Sequence, residues 1–295
     1  MKPANINQKK RHKKMARLSR SKGGDFAMGV FLLVFTLIMM IPIIYAVCMS
    51  LKPSSELWKF PPKILPTNPT FKNYRDLFSL ISDTWVPMIR YIFNTVFITV
   101  IGTVGHVILA AMAAYPLSKY KFPGSKAIFV IIRTSLMFSG AVLAIPNYLI
   151  MNSFHLIDSY ASLILPAWST TLGLYLMKQF MDQMIPISLL ESAEIDGATE
   201  WQKFTKIVMP LVKPATATLV ILLVQRLWTT GATPYLYTEE KKTLSYALSQ
   251  ISTSGIARAG VGSAISILML IPPLLVFIIS QSNVIETMST SGIKE

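Results

Sequence analysis

The chain has 295 residues, of which 52% are hydrophobic and 14% are charged, and its formal net charge is +14. Soluble domains carry about 25% charged residues, so this composition argues against a pair of soluble domains and indicates one integral membrane unit. The only cysteine, Cys48, excludes an internal disulfide framework and a cysteine-rich metal site.

The positive charge is concentrated in an N-terminal arm, residues 1–25. Nine lysine or arginine residues lie in this arm against one acid, Asp25, and no aromatic residue lies among them. A short basic segment before an apolar helix is what the positive-inside rule requires, so we predict a cytoplasmic arm close to anionic lipid. Binding of nucleic acid is the disfavoured alternative.

Six apolar segments follow the arm, and each is close to the roughly 20 residues that a transmembrane helix needs. The first is too long for the apolar core of a cleaved signal peptide, so we predict an uncleaved span. The predicted fold class is an all-α integral membrane protein with six transmembrane helices. Their predicted ranges are 26–49, 91–117, 127–150, 159–180, 215–235 and 261–280.

An inside N-terminus and six spans place both termini in the cytoplasm. The connector 118–126 then lies inside, and it holds three lysines and no acid. The first outer loop also holds basic residues, but it is long, and the positive-inside rule loses force with loop length. The predicted division is a cytoplasmic arm 1–25, a transmembrane domain 26–282 with an inner loop 186–214, and a cytoplasmic tail 283–295.

The inner loop contains LLESAEIDGATEWQKFTKIVMPLVKP, residues 189–214, a polar stretch between two apolar runs. Ser188 and Thr199 are each followed three residues later by Glu or Gln, the pattern of a capping box at a helix start. Gly197 lies between them in an Asp-Gly turn signal, because glycine adopts a positive φ without strain. We predict a short helix, a glycine turn and a second helix that runs toward Pro210.

The second helix of this loop carries an apolar stripe. We expect the stripe to pack against the helix bundle, while Lys203 and Lys206 face water. A projecting amphipathic hairpin is suited to the groove of another protein, and the alternative is a loop that only lies on the membrane surface. The residues of the stripe are Trp201, Phe204, Ile207 and Val208.

Residues 191–198 read ESAEIDGA and are followed by the prolines of MPLVKP. This pattern closely resembles the EAA loop of bacterial ABC-importer permeases, with Ser192 in place of the first alanine and Met209 in place of a leucine. SLKPSSEL, PTFKNYRDLF, AYPLSKYKFPG and the terminal SGIKE are similar to other parts of the same family. Together they resemble the carbohydrate-uptake permeases, in particular the smaller maltose-transporter permease.

The resemblance implies a type I ABC importer permease fold in the bacterial cytoplasmic membrane. In this family the EAA loop is a coupling helix that docks into a cleft of a separate ATPase subunit. Dimerisation of two ATPases then turns the paired permeases from inward-facing to outward-facing, and an extracytoplasmic protein delivers the saccharide. The ATPase-coupling residues implied here are Glu191, Ala193, Asp196, Gly197 and Ala198.

The resemblance also implies the partners. They are a second, homologous permease subunit in a heterodimer, two ATPase subunits, an extracytoplasmic sugar-binding protein and membrane lipid, and nucleic acid is not among them. No GxxxxGK[ST] run occurs in the chain, so the ATPase must be another polypeptide, which uses ATP and Mg. We expect the chain to bind no cofactor and to be a transport subunit rather than an enzyme.

Polar and aromatic residues of the predicted spans are candidates for a substrate path, because a charge within the membrane is costly. Arg226 is expected nearer mid-span than Arg133. Two interpretations stay open for both arginines: pairing within the complex, or contact with hydroxyl or uronate groups of a saccharide. Tryptophan can stack on sugar rings or serve packing alone. The candidates are Arg226, Trp228, Gln225, Trp168 and Asn147.

Other classes of protein remain as alternatives. An ion-coupled secondary carrier is expected to hold buried carboxylates or inverted repeats, but no acid lies well inside a predicted span and Asp158 lies only at an edge. A scaffold without a transport role does not explain the coupling-like loop, and an enzyme would need a catalytic cluster. An ABC permease for a substrate other than a sugar also stays open.

Overall fold

A computed structural model describes residues 22–57, 59–61, 63–82, 86–231, 234–252 and 259–291. Every regular element in these ranges is a helix. The all-α fold class is therefore confirmed for the part of the chain that the structure describes. Most of the basic arm and the end of the tail, residues 1–21 and 292–295, lie outside the described residues.

The first predicted span is confirmed as helix α1, Lys22–Leu51, which contains one proline, Pro42. Its apolar side chains are exposed along most of its length in the isolated chain. Such exposure is expected of a helix whose surroundings are lipid or another subunit. Two short helices follow it, α2 at Ser54–Leu57 and α3 at Lys72–Ser82.

The second predicted span is confirmed as helix α4, Met88–Lys119, the longest buried helix of the molecule. It carries small residues, which let helices approach closely in a membrane. Gly105 shows why they are needed, because a Cβ at this position would lie 2.2 Å from the indole Nε1 of Trp168. Any larger residue would force these two elements apart.

The third predicted span, 127–150, is not one straight helix. It consists of α5, Ser125–Ser135, and α6, Gly140–Ser153, which meet at an angle of 110°. The break covers residues 136–139, and Ser139 is the N-cap residue of α6. Serine favours caps and turns over helix interiors, because it competes for backbone hydrogen bonds, so Ser139 favours a new helix start here.

The fourth predicted span, 159–180, is also divided. α7 covers Ala161–Trp168 and α8 covers Thr171–Met184. Between them the hydroxyl of Ser169 donates to the carbonyl of Pro166 at 3.0 Å. Because serine offers the backbone an alternative to helical bonds, the chain leaves the first helix here and starts a second one.

Three helices form the region of the predicted inner loop and fifth span. α9 is Ile187–Ile195, α10 is Glu200–Leu211 and α11 is Lys213–Trp228, and α10 and α11 meet at 72°. The fifth span was expected over 215–235, but α11 ends seven residues earlier. The residues that follow, Thr-Thr-Gly at 229–231, have low helix propensity and account for the early end.

The last part of the chain contains a 3₁₀ turn at Glu239–Lys241, helix α12 at Leu244–Ser252 and helix α13 at Ala259–Ser291. The apolar part of α13, Ala259–Ser282, confirms the predicted sixth span. The helix continues beyond it into the predicted tail, 283–295.

The helices pack around α4, which contacts α7, α8 and α11, while α13 contacts α11 and α1. The largest core cluster lies where α4, α8, α10 and α11 meet. It therefore joins the hairpin of α9 and α10 to the membrane helices. Its members include Val107, Met177, Met181, Val208, Val212 and Leu219.

The predicted number of six spans is not reproduced as six helices. Among the described residues, three helices are long and apolar enough to cross a membrane, and two bent pairs raise the number to five. The pair α7 and α8 accounts for the remaining predicted span, but neither helix alone has the required length.

Candidate coupling site

Helix α9 begins at Ile187, and its N-cap residue is Pro186. The predicted capping box at Ser188 is wrong, because no side chain caps this helix. Proline fixes φ near the helical value, so the helix starts two positions earlier than predicted. The carbonyl of Ser188 instead accepts a hydrogen bond from the hydroxyl of Ser192 at 2.9 Å.

The predicted glycine turn is confirmed. Gly197 has a φ of +79°. Its N–H donates to the carbonyl of Glu194 at 2.9 Å, and the N–H of Ala198 donates to the carbonyl of Ala193 at 2.9 Å. These two bonds form a Schellman motif, which satisfies the last carbonyls of α9. The chain therefore reverses direction at Gly197 and enters α10.

The predicted second capping box is confirmed at the start of α10. The N–H of Gln202 donates to the hydroxyl of Thr199 at 3.3 Å, and the Gln202 side chain accepts from the Thr199 N–H at 2.9 Å. Residues Lys203–Val208 then form a π-helical turn. This wider turn was not predicted, and such turns are frequent at functional sites.

The π turn changes which residues of α10 are buried. Phe204 and Val208 of the predicted stripe are buried, but Trp201 is 62% exposed. Lys203 was expected to face water and is instead only 2% exposed, whereas Lys206 is exposed as expected. In a π turn, residues five positions apart come into line, so the buried face includes Lys203 and Val208.

The residues predicted to contact an ATPase divide between two faces of the hairpin. Glu191, Asp196 and Gly197 are exposed, and Ala198 is half-buried. Ala193 is buried, so its side chain supports the hairpin from inside rather than presenting a docking surface. The sequence interpretation did not single out Ile195, whose side chain is 87% exposed at the end of α9.

Polar side chains join the hairpin to the end of α4. The Glu200 carboxylate accepts from the hydroxyl of Tyr115 at 3.0 Å and from that of Tyr120. Lys203 lies 2.6 Å from the other oxygen of Glu200 and 3.2 Å from a Glu194 oxygen. We call these five residues the hairpin cluster. The sequence shows only two tyrosines near a span end and an acid after a helix cap, so the cluster was missed.

A second set of contacts joins the opposite end of α4 to the loop between α11 and α12. The Asn94 amide donates to the carbonyls of Glu240 and Lys242 at 2.7 and 2.9 Å. Tyr160 donates to the Asn94 side-chain oxygen at 2.7 Å, and Tyr91 donates to the Glu239 carboxylate at 2.9 Å. Asn94 is fully buried, so these bonds replace the water that it lost.

Asp158 holds the same loop from its other side. Its carboxylate accepts from the N–H groups of Tyr237 and Thr238 at 3.0 and 2.9 Å, from the Thr238 hydroxyl, and from Lys241. Burial alone would raise the pKa of Asp158, but the hydrogen bonds from Thr238 and Lys241 outweigh it and hold that pKa well below its usual range. We call Tyr91, Asn94, Asp158 and Tyr160 the loop cluster.

The two tryptophans among the substrate-path candidates are used in packing. Trp168, at the end of α7, is half-buried and donates from its indole to the carbonyl of Ile101 at 3.0 Å. Trp228 is only 9% exposed and packs with Tyr91 and Leu244. Trp228 therefore has little surface left for stacking on a sugar, and the indole N–H of Trp168 is already bonded within the chain.

The polar candidates lie nearer to open surface. Arg226 and Gln225 are exposed in the last turn of α11, and Arg226 donates to the hydroxyl of Thr170 at 3.3 Å. Arg226 was expected near the middle of a longer span, so its place at a helix end is a correction. Asn147 is half-buried on α6, and Arg133 is exposed in the last turn of α5. The five candidates thus lie on three helices, α6, α7 and α11, and differ in exposure.

Comparisons with known proteins give the chain its relatives. Residues 106–290 match the family described as "Binding-protein-dependent transport system inner membrane component". The polygalacturonan/rhamnogalacturonan transport system permease protein YtcP of Bacillus subtilis (strain 168) is 35% identical over 213 residues, 72% of each chain. The arabinooligosaccharides transport system permease protein AraQ of the same organism is 29% identical over 276 residues, 91% of this chain and 95% of the relative.

A solved structure has the same arrangement of helices. It is the crystal structure of a bacterial ABC transporter involved in the import of the acidic polysaccharide alginate. One of its chains matches with a TM-score of 0.72 at 26% identity, covering 89% of this chain and 98% of that one. The divided and bent helices described above thus occur within a fold that matches almost the whole length of that chain.

Proposed function

The chain belongs to the family of binding-protein-dependent transport system inner membrane components, and from this premise we propose that it carries an oligosaccharide across the cytoplasmic membrane. It is a permease subunit of an ABC importer and not an enzyme. Two relatives are named for transport of arabinooligosaccharides and of polygalacturonan or rhamnogalacturonan, and the matched structure belongs to an alginate importer. This agreement of cargo is the observation that supports a saccharide.

We further propose that separate ATPase subunits dock on the hairpin of α9 and α10. Glu191, Asp196 and Gly197 would contact the ATPase directly, and Ala198 would lie at the edge of the contact. Ala193 would position the helix from inside. The exposed and capped turn around Gly197 supports this assignment, because it presents polar groups on a rigid support.

The remaining partners are proposed on the same basis. A second permease subunit and lipid would cover the exposed apolar helices, among them α1. An extracytoplasmic binding protein would deliver the saccharide to the loops at the end of the molecule opposite the hairpin. ATP and Mg would be used by the ATPases. The arm 1–25, the loop 186–214 and the tail 283–295 would then lie in the cytoplasm, and the membrane domain would be 26–282.

The substrate path is proposed to include Arg226 and Gln225, which are exposed at the end of α11. Asn147 is a weaker candidate, because it is half-buried on another helix. An arginine beside the path would favour a saccharide with uronate groups, since guanidinium and carboxylate form paired hydrogen bonds. Trp168 and Trp228 would act only by shaping the helices around the path.

Uptake by the reconstituted transporter tests this function. The complete complex is placed in proteoliposomes with its binding protein. Uptake of a labelled arabinooligosaccharide and of a labelled oligogalacturonide is then measured with ATP placed either inside or outside the vesicles. We expect uptake of at least one of them, only with hydrolysable ATP on the ATPase side. Uptake that instead follows a proton or sodium gradient would assign the chain to the secondary carriers, and ATP-driven uptake of neither would contradict the saccharide.

A further inference from the structure

The hairpin cluster contains a charged group where burial is expensive. Lys203 is 2% exposed, whereas Lys206 of the same helix is exposed. A buried ammonium group is costly unless carboxylates and hydrogen bonds compensate for the lost water. Here Glu200 and Glu194 lie at 2.6 and 3.2 Å, and their own side chains are 59% and 73% exposed. The lysine is thus the buried centre of a pair of exposed acids.

Lys203 connects the two arms of the hairpin. Glu194 is the residue before Ile195 at the end of α9, and Glu200 is the first residue of α10. One ammonium group therefore holds both sides of the Gly197 turn together.

Glu200 extends the connection to α4. Its Oε1 lies 2.6 Å from the Lys203 ammonium, while its Oε2 accepts from the hydroxyls of Tyr115 and Tyr120. The two tyrosine hydroxyls are themselves 3.2 Å apart. One carboxylate thus belongs at the same time to the hairpin and to the end of the central membrane helix.

An apolar layer supports the same junction. The rings of Tyr115 and Phe204 lie 5.6 Å apart, and Phe204 belongs to the largest core cluster. This layer keeps the hairpin attached to the bundle by packing. The polar cluster adds direction, because hydrogen bonds to a carboxylate require a defined geometry.

We propose that Lys203, Glu200 and the tyrosine pair are positioning residues that convert movement of the hairpin into movement of α4. Movement at the ATPase contact would travel from the Gly197 turn through Lys203 and Glu200 to Tyr115 and Tyr120. The inference rests on the proposed function, since it needs an ATPase at the hairpin. It goes beyond it by assigning the link to residues outside the ATPase-contacting positions.

The test measures transport and ATP hydrolysis together in the reconstituted complex. Lys203→Met removes the buried charge but keeps a side chain of similar length, so the hairpin is expected to stay folded. Glu200→Gln keeps the shape and removes the charge. Lys206→Met is the matched control, because Lys206 is an exposed lysine of the same helix. The amount of complex that assembles is measured for each variant.

We expect Lys203→Met to lower the amount of saccharide transported per ATP hydrolysed by about fivefold or more, as for a coupling of moderate strength. Glu200→Gln should do the same. The double variant, Lys203→Met with Glu200→Gln, should lower the ratio no further than the more damaging of the two single variants, because both residues belong to one connection. Tyr115→Phe with Tyr120→Phe should lower the same ratio to a smaller extent. Lys206→Met should leave it unchanged.

Two results would overturn the proposal. One is an unchanged ratio in Lys203→Met and Glu200→Gln, and the other is a loss of uptake and hydrolysis in equal proportion, which indicates only a structural role. Absence of ATP-dependent uptake in the unmodified complex would instead contradict the proposed function, so the two failures are distinguishable. Thermal stability of each purified complex shows whether a variant has lost its fold.

Discussion

Gly197 shows what one residue contributes to the coupling hairpin. Its φ is +79°, and no atom beyond its two neighbours in the chain lies within 4 Å of the position where a Cβ would be placed. A lack of room for a side chain is therefore not the reason that glycine is needed at this position. The requirement is conformational, because a side chain disfavours the left-handed region by about 1–2 kcal/mol, and a β-branched one by more.

Substitution of Gly197 tests this conclusion. Gly197→Val should destabilise the turn, lower uptake more than complex assembly, and reduce transport per ATP hydrolysed, because the exposed residues beside it lose their fixed orientation. Gly197→Asn is the matched control, since asparagine tolerates a positive φ, and it should retain most of the coupled transport. The measurement is uptake and hydrolysis in proteoliposomes. Normal coupled transport by the valine variant would show that the hairpin does not depend on this turn.

Other single residues divided into those the sequence could predict and those it could not. Thr199 and Gln202 formed the predicted cap because their bonds depend only on neighbours in the chain. Lys203 was wrongly predicted to face water, because its burial depends on a π turn and on two acids. The hydrophobic periodicity of the sequence does not indicate either of them. Trp228 was a sugar-stacking candidate by residue type, but its burial is decided by helices far away in the sequence.

At the scale of elements, Asp158 is one of the residues that fix the loop between α11 and α12 in place. The side chain of this residue is 26% exposed and receives bonds from three residues of the loop. The sequence placed the same carboxylate at the edge of a predicted span, where it did not support an ion-coupled carrier. Its role in the structure is to hold the backbone of 237–241, and each such bond to a charged group contributes about 1.5–3 kcal/mol.

Amide hydrogen exchange tests the role of Asp158. Asp158→Asn loses the charge-assisted bonds, so exchange of the amides of 237–242 should become about tenfold faster or more, in line with that energy per bond. Glu240→Gln is the control, because Glu240 contributes only its backbone carbonyl to the contacts described above. Equal exchange in both variants would mean that the loop is held by Asn94 and Tyr91 instead.

Elements were predicted well where hydropathy alone decides and poorly where it does not. α1, α4 and α13 agree with the predicted spans because long apolar segments form helices in a membrane whatever their neighbours. The breaks between Ser135 and Gly140, at Ser169 and after Trp228 were missed. A polar pair within an apolar segment interrupts a helix only when surrounding helices satisfy the freed backbone groups, and those neighbours are not visible in the sequence.

At the scale of the molecule, the direction of the chain in the membrane stays a prediction that follows from the basic arm. It can be tested with single cysteines in a Cys48→Ser background. Ile195→Cys on the hairpin should react with a membrane-impermeant thiol reagent only in inside-out vesicles, and Tyr237→Cys on the loop only in right-side-out cells. Both parent side chains are exposed, at 87% and 59%.

The unmodified chain is the control for this labelling, because Cys48 is only 8% exposed and should not react. The reverse pattern of labelling would invert the topology and would place the hairpin outside the cell. In that case no ATPase could reach Glu191 and Asp196. The proposed function and the predicted orientation therefore stand or fall together in this experiment.

The position of α4 has a consequence for the energetics of the whole assembly. The helix has 32 residues, which corresponds to a length of about 48 Å, and polar contacts hold it at both ends. The loop cluster and the hairpin cluster are thus joined by one continuous body. Thermodynamic reciprocity then applies. If binding of a partner at the loop changes the nucleotide affinity of the complex by some factor, nucleotide must change the affinity for that partner by the same factor.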